Sequence, residues 1–426
     1  MESARDKARH FIDHETQFHL GVLPTEQSNP KTRTFSQTVQ ADTVAGIRML
    51  QSVDDDMVPV VTRLFASDEF ARLTAALGRA LQQGKRIFFS GCGATGRVSI
   101  LLEAAWRQAC QALCPDRPAL AERVRSVMTG GDYALVRSVE SFEDYATFGR
   151  HQMAEAGVGE GDVLVAITEG GETSSVIGTA WQALESGAEV FFVCNNPLDV
   201  LAAHVERSRE IIEEPRITKI DLSSGPMAIA GSTRMQATSS EVLVVGAALE
   251  LALVQHLQTH GQATEPEAYR AHFVRLLADL GKAEALDAMA GLVEFEAEVY
   301  AAKGAVTYFA DGYVLDIFTD TTERAPTFML PPFRKCDDHA SPRSWVFVKT
   351  LLCPTPEAWP RVLGHVPRCL EWEPATYRQL GAADAIVANP PSIRSEDIHK
   401  FLIGNEPDPS RHASPADAAV MVLVGA

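Results

Sequence analysis

A chain of 426 residues is longer than one hydrophobic core ordinarily serves; at about 100–200 residues per domain, two or three domains are expected. Apolar residues make up 46% and charged residues 22%, which excludes intrinsic disorder. The formal net charge of −18 excludes a general nucleic-acid binder, but leaves open a small anion held by backbone amides.

Residues 1–60 read as an N-terminal arm, with a helix over 38–50 and another over 58–82. From residue 86 the pattern changes to short apolar runs bounded by glycine and polar residues. These predict buried strands at 86–90, 124–128, 162–168, 189–194 and 219–222, and a further short one at 210–212. Helical patterns separate them, the longest over 233–257. Strands alternating with helices predict an α/β fold with a doubly wound parallel sheet across residues 61–260. Residues 261–303 read as a helical linker. Residues 304–426 read as a second, irregular α/β domain broken by prolines, with a strand at 306–309. The apolar stretch 242–254 carries Glu250 and is too short to span a bilayer, so no membrane partner is expected. The seven cysteines are odd in number and form no Cys-x-x-Cys pair, and the N-terminus is polar. Reduced thiols and a cytoplasmic location follow as expectations.

Ligands of doubly wound sheets bind beyond the carboxyl ends of the strands, where three Gly/Ser/Thr loops fall. The first, residues 91–97 (GCGATGR), follows a strand and opens a helix. Gly93, Ala94, Thr95, Gly96 and Arg97 suit either a dinucleotide or a single phosphate. No acidic residue ends a second strand at the distance a ribose needs, and Glu103 lies inside the helix. The second loop, 169–175 (EGGETSS), offers Gly171, Thr173, Ser174 and Ser175 at a helix start, a pattern that also serves as an ordinary N-cap. The third offers Ser232, Thr233 and Arg234. His10 and His14 share a helix face but have no third ligand, so neither a metal nor a cofactor is expected.

Taken together, these segments resemble the sugar isomerase (SIS) domain family, and within it the N-acetylmuramic acid 6-phosphate etherase and glucokinase regulatory protein branches. GCGATGR resembles the family's phosphosugar loop. Glu26 and Asn29 resemble its N-terminal Thr-Glu-x-x-Asn segment. Residues 130–134 and 139–144 resemble two further segments, and 231–235 (GSTRM) a later one. The resemblance implies a sugar 6-phosphate ligand and a base-like glutamate at Glu143. The family's acid-like glutamate falls on Ala105, and Glu172 replaces a loop arginine. Residues 320–328 (DTTERAPTF) resemble the stretch that carries the acid, which implies a degenerate second SIS copy with Glu323 at the acid position. An internal pseudo-dimer would bring Glu323 to the first loop; without it Glu323 caps a helix or faces solvent. Two functions follow. One is a phosphosugar sensor regulating a protein partner such as a sugar kinase. The other is a sugar-phosphate lyase or isomerase, whose etherase activity Ala105 predicts to be weak. A homo-oligomer is the alternative to the internal pseudo-dimer.

Overall fold

A computed structural model describes residues 3–15, 19–139, 141–232, 235–258, 265–408 and 421–422. Its larger sheet is built from β1 (Ile87–Gly91), β2 (Val124–Met128), β3 (Val163–Ile167), β4 (Glu189–Cys194) and β5 (Ile217–Asp221). All pairings are parallel, in the order β2-β1-β3-β4-β5. Ile87 lies opposite Val124 on one side and Val163 on the other. The central strands β1, β3 and β4 are buried on both faces, which is why they read as nearly unbroken apolar runs. The edge strands β2 and β5 carry half-buried Arg125, Thr218 and Lys219. Phe89, Val165 and Phe191 face a core completed by helices Asp68–Gln82 and Gln236–Leu257. Phe88, Leu164 and Phe192 face the opposite core, under helix Ser174–Glu185. Helix Gln236–Leu257 is the one helix among the described residues long and apolar enough to cross a membrane, and most of it is buried in this core.

Three sequence expectations need correction. The helix expected over 58–82 is two helices, Met57–Phe65 and Asp68–Gln82, the second capped by the Ser67 hydroxyl. The strand expected at 210–212 lies within helix Glu206–Glu213, where Ser208 and Ile211, three apart, turn one face inward. Three residues are too few to show a period. The helix expected over 38–50 is two helices, Phe35–Ala41 and Thr43–Asp54. Asp42 divides them, its carboxylate accepting from the Ala45 amide at 2.9 Å as an N-cap. The stretch expected as a linker forms helices Pro266–Leu280 and Ala283–Ala301, and the second packs on Thr43–Asp54.

A second parallel sheet has the order β7-β6-β8, from β6 (Val306–Phe309), β7 (Val346–Lys349) and β8 (Met421–Val422). Its central strand precedes the other two in sequence, as β1 precedes its neighbours β2 and β3. The second core is shared between the sheets. Ile100 and Ala104 of helix Gly93–Leu113 and the rings of Phe142 and Phe148 pack with Val306, Phe318 and Trp359.

A polar clamp crosses the same boundary. Glu103 is fully buried and accepts from the Ser126 amide at 2.6 Å and hydroxyl at 2.8 Å. It also binds Arg107 at 3.0 Å and meets Arg368 of the second domain. Asp132 accepts from the Arg368 amide at 2.7 Å. Burial pushes the Glu103 carboxyl up, but Arg368, His365 and Ser126 outweigh it and leave it below its ordinary value. Its stabilising contribution is therefore present above about pH 4.5 and lost as pH falls through the lowered folded-state value. Arg368→Ala should cost roughly 2–3 kcal/mol at pH 7, less than a wholly buried pair because Arg368 is a third exposed. Urea unfolding checks this, and the gap to wild type should narrow below pH 4.

Candidate functional site

The first loop is shaped by backbone contact. A Cβ on Gly91 would stand 2.3 Å from the Thr95 carbonyl carbon, so only glycine lets the strand turn so tightly into helix Gly93–Leu113. The Thr95 hydroxyl closes the turn, accepting from the Cys92 amide at 2.9 Å and donating to the Cys92 carbonyl at 2.8 Å. Thr95 is thereby engaged within the loop, whereas the sequence placed it on the ligand. Gly93 and Ala94 begin the helix, whose first amides have no partner within it. Gly96 packs against Met128.

Arg97 is buried and does not stand open as a ligand cation. Its Nε donates to the Leu135 carbonyl at 3.1 Å and its Nη2 to the Ala134 carbonyl at 3.3 Å. Its Nη1 forms an ion pair with Glu323, reaching in from the second domain. A Cβ on Gly93 would lie 3.8 Å from Glu323 Oε1. The neighbouring residue, Cys92, donates its thiol to Glu143 Oε2 at 3.7 Å. Burial, then Glu143, pushes that thiol well above its ordinary value, so it stays protonated. Two glutamates thus meet one edge of the loop at consecutive residues. Glu103 points away into the clamp, as its helical phase predicts.

The second loop lies beside the first. Ser175 is buried, its hydroxyl 2.8 Å from that of Thr129 at the end of β2. Thr168 donates to the Thr173 hydroxyl at 3.1 Å. Gly171 packs on Leu201, and Ser174 starts helix Ser174–Glu185, partly exposed. The anionic Glu172 is offset by Arg207, whose Nη2 lies 2.8 Å from Glu172 Oε2. In the third segment Ser232 is buried, while Thr233 and Arg234 lie outside the described residues, as does Glu140.

The arm closes over these loops. The Gly231 amide donates to the Thr25 carbonyl at 3.1 Å, and Glu26 lies beside Gly231. Burial, then Glu172, raises the Glu26 carboxyl. Asn196 Nδ2 donates to the Thr25 hydroxyl at 2.9 Å and the Gly170 carbonyl at 3.0 Å, tying arm to loop. Asn29 serves the backbone instead, donating to the Pro226 carbonyl at 2.6 Å and accepting from the Lys31 amide at 2.9 Å. Sequence reasoning missed Arg207, Thr129 and Asn196. Thr129 and Asn196 had a signal, polar residues directly after strands β2 and β4, whereas Arg207 had none.

Below the loops lies Glu241, fully buried, with no hydrogen-bond partner for either oxygen among the described residues. Burial, then Glu169, raises its carboxyl far above the ordinary range. A raised folded-state value favours the fold below the unfolded value and costs stability as pH climbs toward it. Glu241→Gln should therefore match wild type near pH 4 and gain roughly 1–3 kcal/mol at pH 7, read from thermal melts at both pH values.

Comparison with known proteins bears on this site. Residues 69–183, which include the first two loops and Glu143, match the glucokinase regulatory protein N-terminal SIS domain. An N-acetylmuramic acid 6-phosphate etherase of Nostoc sp. (strain PCC 7120) is 31% identical over 265 residues, covering 61% of this chain and 79% of that one. The chain belongs to this etherase family of SIS proteins. Further members are the Gloeobacter violaceus etherase, 29% identical over 63% of this chain and 82% of its own, and etherase 1 of Bacillus licheniformis, 26% identical over 56% and 70%. Likeness to solved structures is looser. The C-terminal domain of glucosamine-fructose-6-phosphate aminotransferase from Francisella tularensis is 12% identical, covering 71% of this chain and 70% of that one, with a TM-score of 0.38. The etherase relatives leave more than a third of this chain unmatched.

Proposed function

We propose that the chain is a lyase of the etherase type, acting on a sugar 6-phosphate that carries an ether at C3. The observation that carries this reading is the convergence of Glu143 and Glu323 on the Cys92–Gly93 edge of the first loop. Ala105 taken alone argues against turnover. Glu323 supplies a carboxylate from the other domain, so the missing acid is replaced across the boundary.

The phosphate sits against the amides of Gly93 and Ala94, with Thr173 and Ser174 as hydroxyl donors from the second loop. Glu143 takes the proton from C2. The C3–O bond breaks, a C2–C3 double bond forms, and protonated Glu323 gives its proton to the departing ether oxygen. Addition of water across the double bond then completes the reaction. For the family's N-acetylmuramic acid 6-phosphate the leaving group is lactate. Support for this substrate is the family itself.

The sensor reading has one observation in its favour. Glu323 is ion-paired with Arg97, and such a pair favours the ionised form, which accepts a sugar hydroxyl but donates no proton. Incubation of the purified chain with N-acetylmuramic acid 6-phosphate separates the two readings. Lactate release supports the lyase. Saturable binding without lactate supports the sensor.

A further inference from the structure

The second domain has a cavity of its own, of about 660 Å³, between its sheet and helix Gly93–Leu113. It lies beyond the carboxyl end of β6, where residues 310–313 turn the strand into helix Val314–Thr321. Thr350 closes it from the end of β7, much as Thr129 stands at the end of β2 beside the first loop. Its far wall carries Ala105. The two halves are reciprocal: Glu323 of the second domain reaches the first loop, and Ala105 of the first domain reaches the second. Cavities of about 300–1,000 Å³ at such strand ends suit small ligands.

The lining disfavours a phosphate and favours a neutral polyol. Asp311 and Asp316 both face the cavity. Among the described residues its one lining cation is Arg361, paired with Asp311 at 2.8 Å. An anion there would meet an uncompensated carboxylate. What remains is an aromatic ring, Tyr313, about half exposed, beside the carboxylate of Asp316 and the amide of Gln108. A pyranose lays its C–H face on such a ring, while its hydroxyls bond the planar carboxylate and amide groups around it. We propose that this cavity binds an unphosphorylated sugar, as a site separate from the first loop and independent of any turnover there.

The test is calorimetric titration of the full chain with D-glucose, N-acetylglucosamine and cellobiose, and separately with glucose 6-phosphate and N-acetylglucosamine 6-phosphate. At least one neutral sugar should bind the wild type. Tyr313→Ala, and Ala105→Phe from the opposite wall, should each weaken that binding at least tenfold and leave any sugar-phosphate binding in place. If Ala105→Phe does not fold by circular dichroism, Gln108→Ala takes its part. Failure of all three neutral sugars to bind the wild type overturns the proposal. So does neutral-sugar binding unaffected by the variants, or loss of the sugar-phosphate response together with it. Failure at the first loop would appear only in the phosphate titrations.

Discussion

Glu143→Gln and Glu323→Gln, made singly, should each lower lactate release from N-acetylmuramic acid 6-phosphate by roughly 10²–10⁴-fold, the usual worth of a positioned acid or base. Sugar-phosphate affinity should change little, because the phosphate is assigned to backbone amides and hydroxyls on other residues. The loss should therefore fall on kcat. The double variant should be far less than multiplicatively worse, since both groups are proposed to serve one bond-breaking step. Glu323→Gln also removes the charge that meets buried Arg97, so its melting temperature must be read beside its kinetics. Turnover by Glu323→Gln at the wild-type rate would remove the second domain from the chemistry.

The largest loss of stability is expected where two helices cross without room for a methyl group. A Cβ on Gly149, in helix Ala146–Glu155, would stand 1.8 Å from the Ser175 carbonyl oxygen. A Cβ on Gly178, in helix Ser174–Glu185, would stand 2.0 Å from the Ala146 carbonyl oxygen. Both obstacles are backbone, so no side chain can swing aside and the helices must separate. Gly149→Ala should cost about 3 kcal/mol or more, at the upper end of overpacking, and lower the melting temperature by roughly 6–12 °C. The displaced segment carries Ser175, whose hydroxyl meets Thr129, so ligand affinity should fall with stability. Ser175→Ala, which removes that hydrogen bond without moving the helix, should cost only about 1 kcal/mol. Equal losses in the two variants would show that the close crossing is not what matters.

The sequence was most legible where structure is local. The central strands β1, β3 and β4 are short, mainly apolar runs closed by glycine or a polar residue, and all five strands were expected close to where they lie. The three loops were legible because a strand–glycine–helix turn is written in consecutive residues. What the sequence hid is what comes from elsewhere. Arg207 offsets Glu172 from a helix more than thirty residues away, and Arg368 reaches Glu103 from the other domain. No period or motif announces such partners. Thr95 was expected at the ligand from its place in the first loop and Asn29 from the family resemblance, and neither signal shows the backbone groups that each side chain bonds. Glu323 was reached only through a repeat nine residues long, and the ion pair it forms was not foreseen.

That Glu323 and the first loop belong to one polypeptide has a kinetic consequence. A site completed by a second molecule empties on dilution, and its activity per milligram falls once concentration drops below the dissociation constant of the pair. In the proposed site the completing group is tethered, at an effective concentration of the order of millimolar that dilution cannot change. Specific activity should therefore stay level from micromolar to sub-nanomolar protein, and a continuous lactate assay over that range reads it directly.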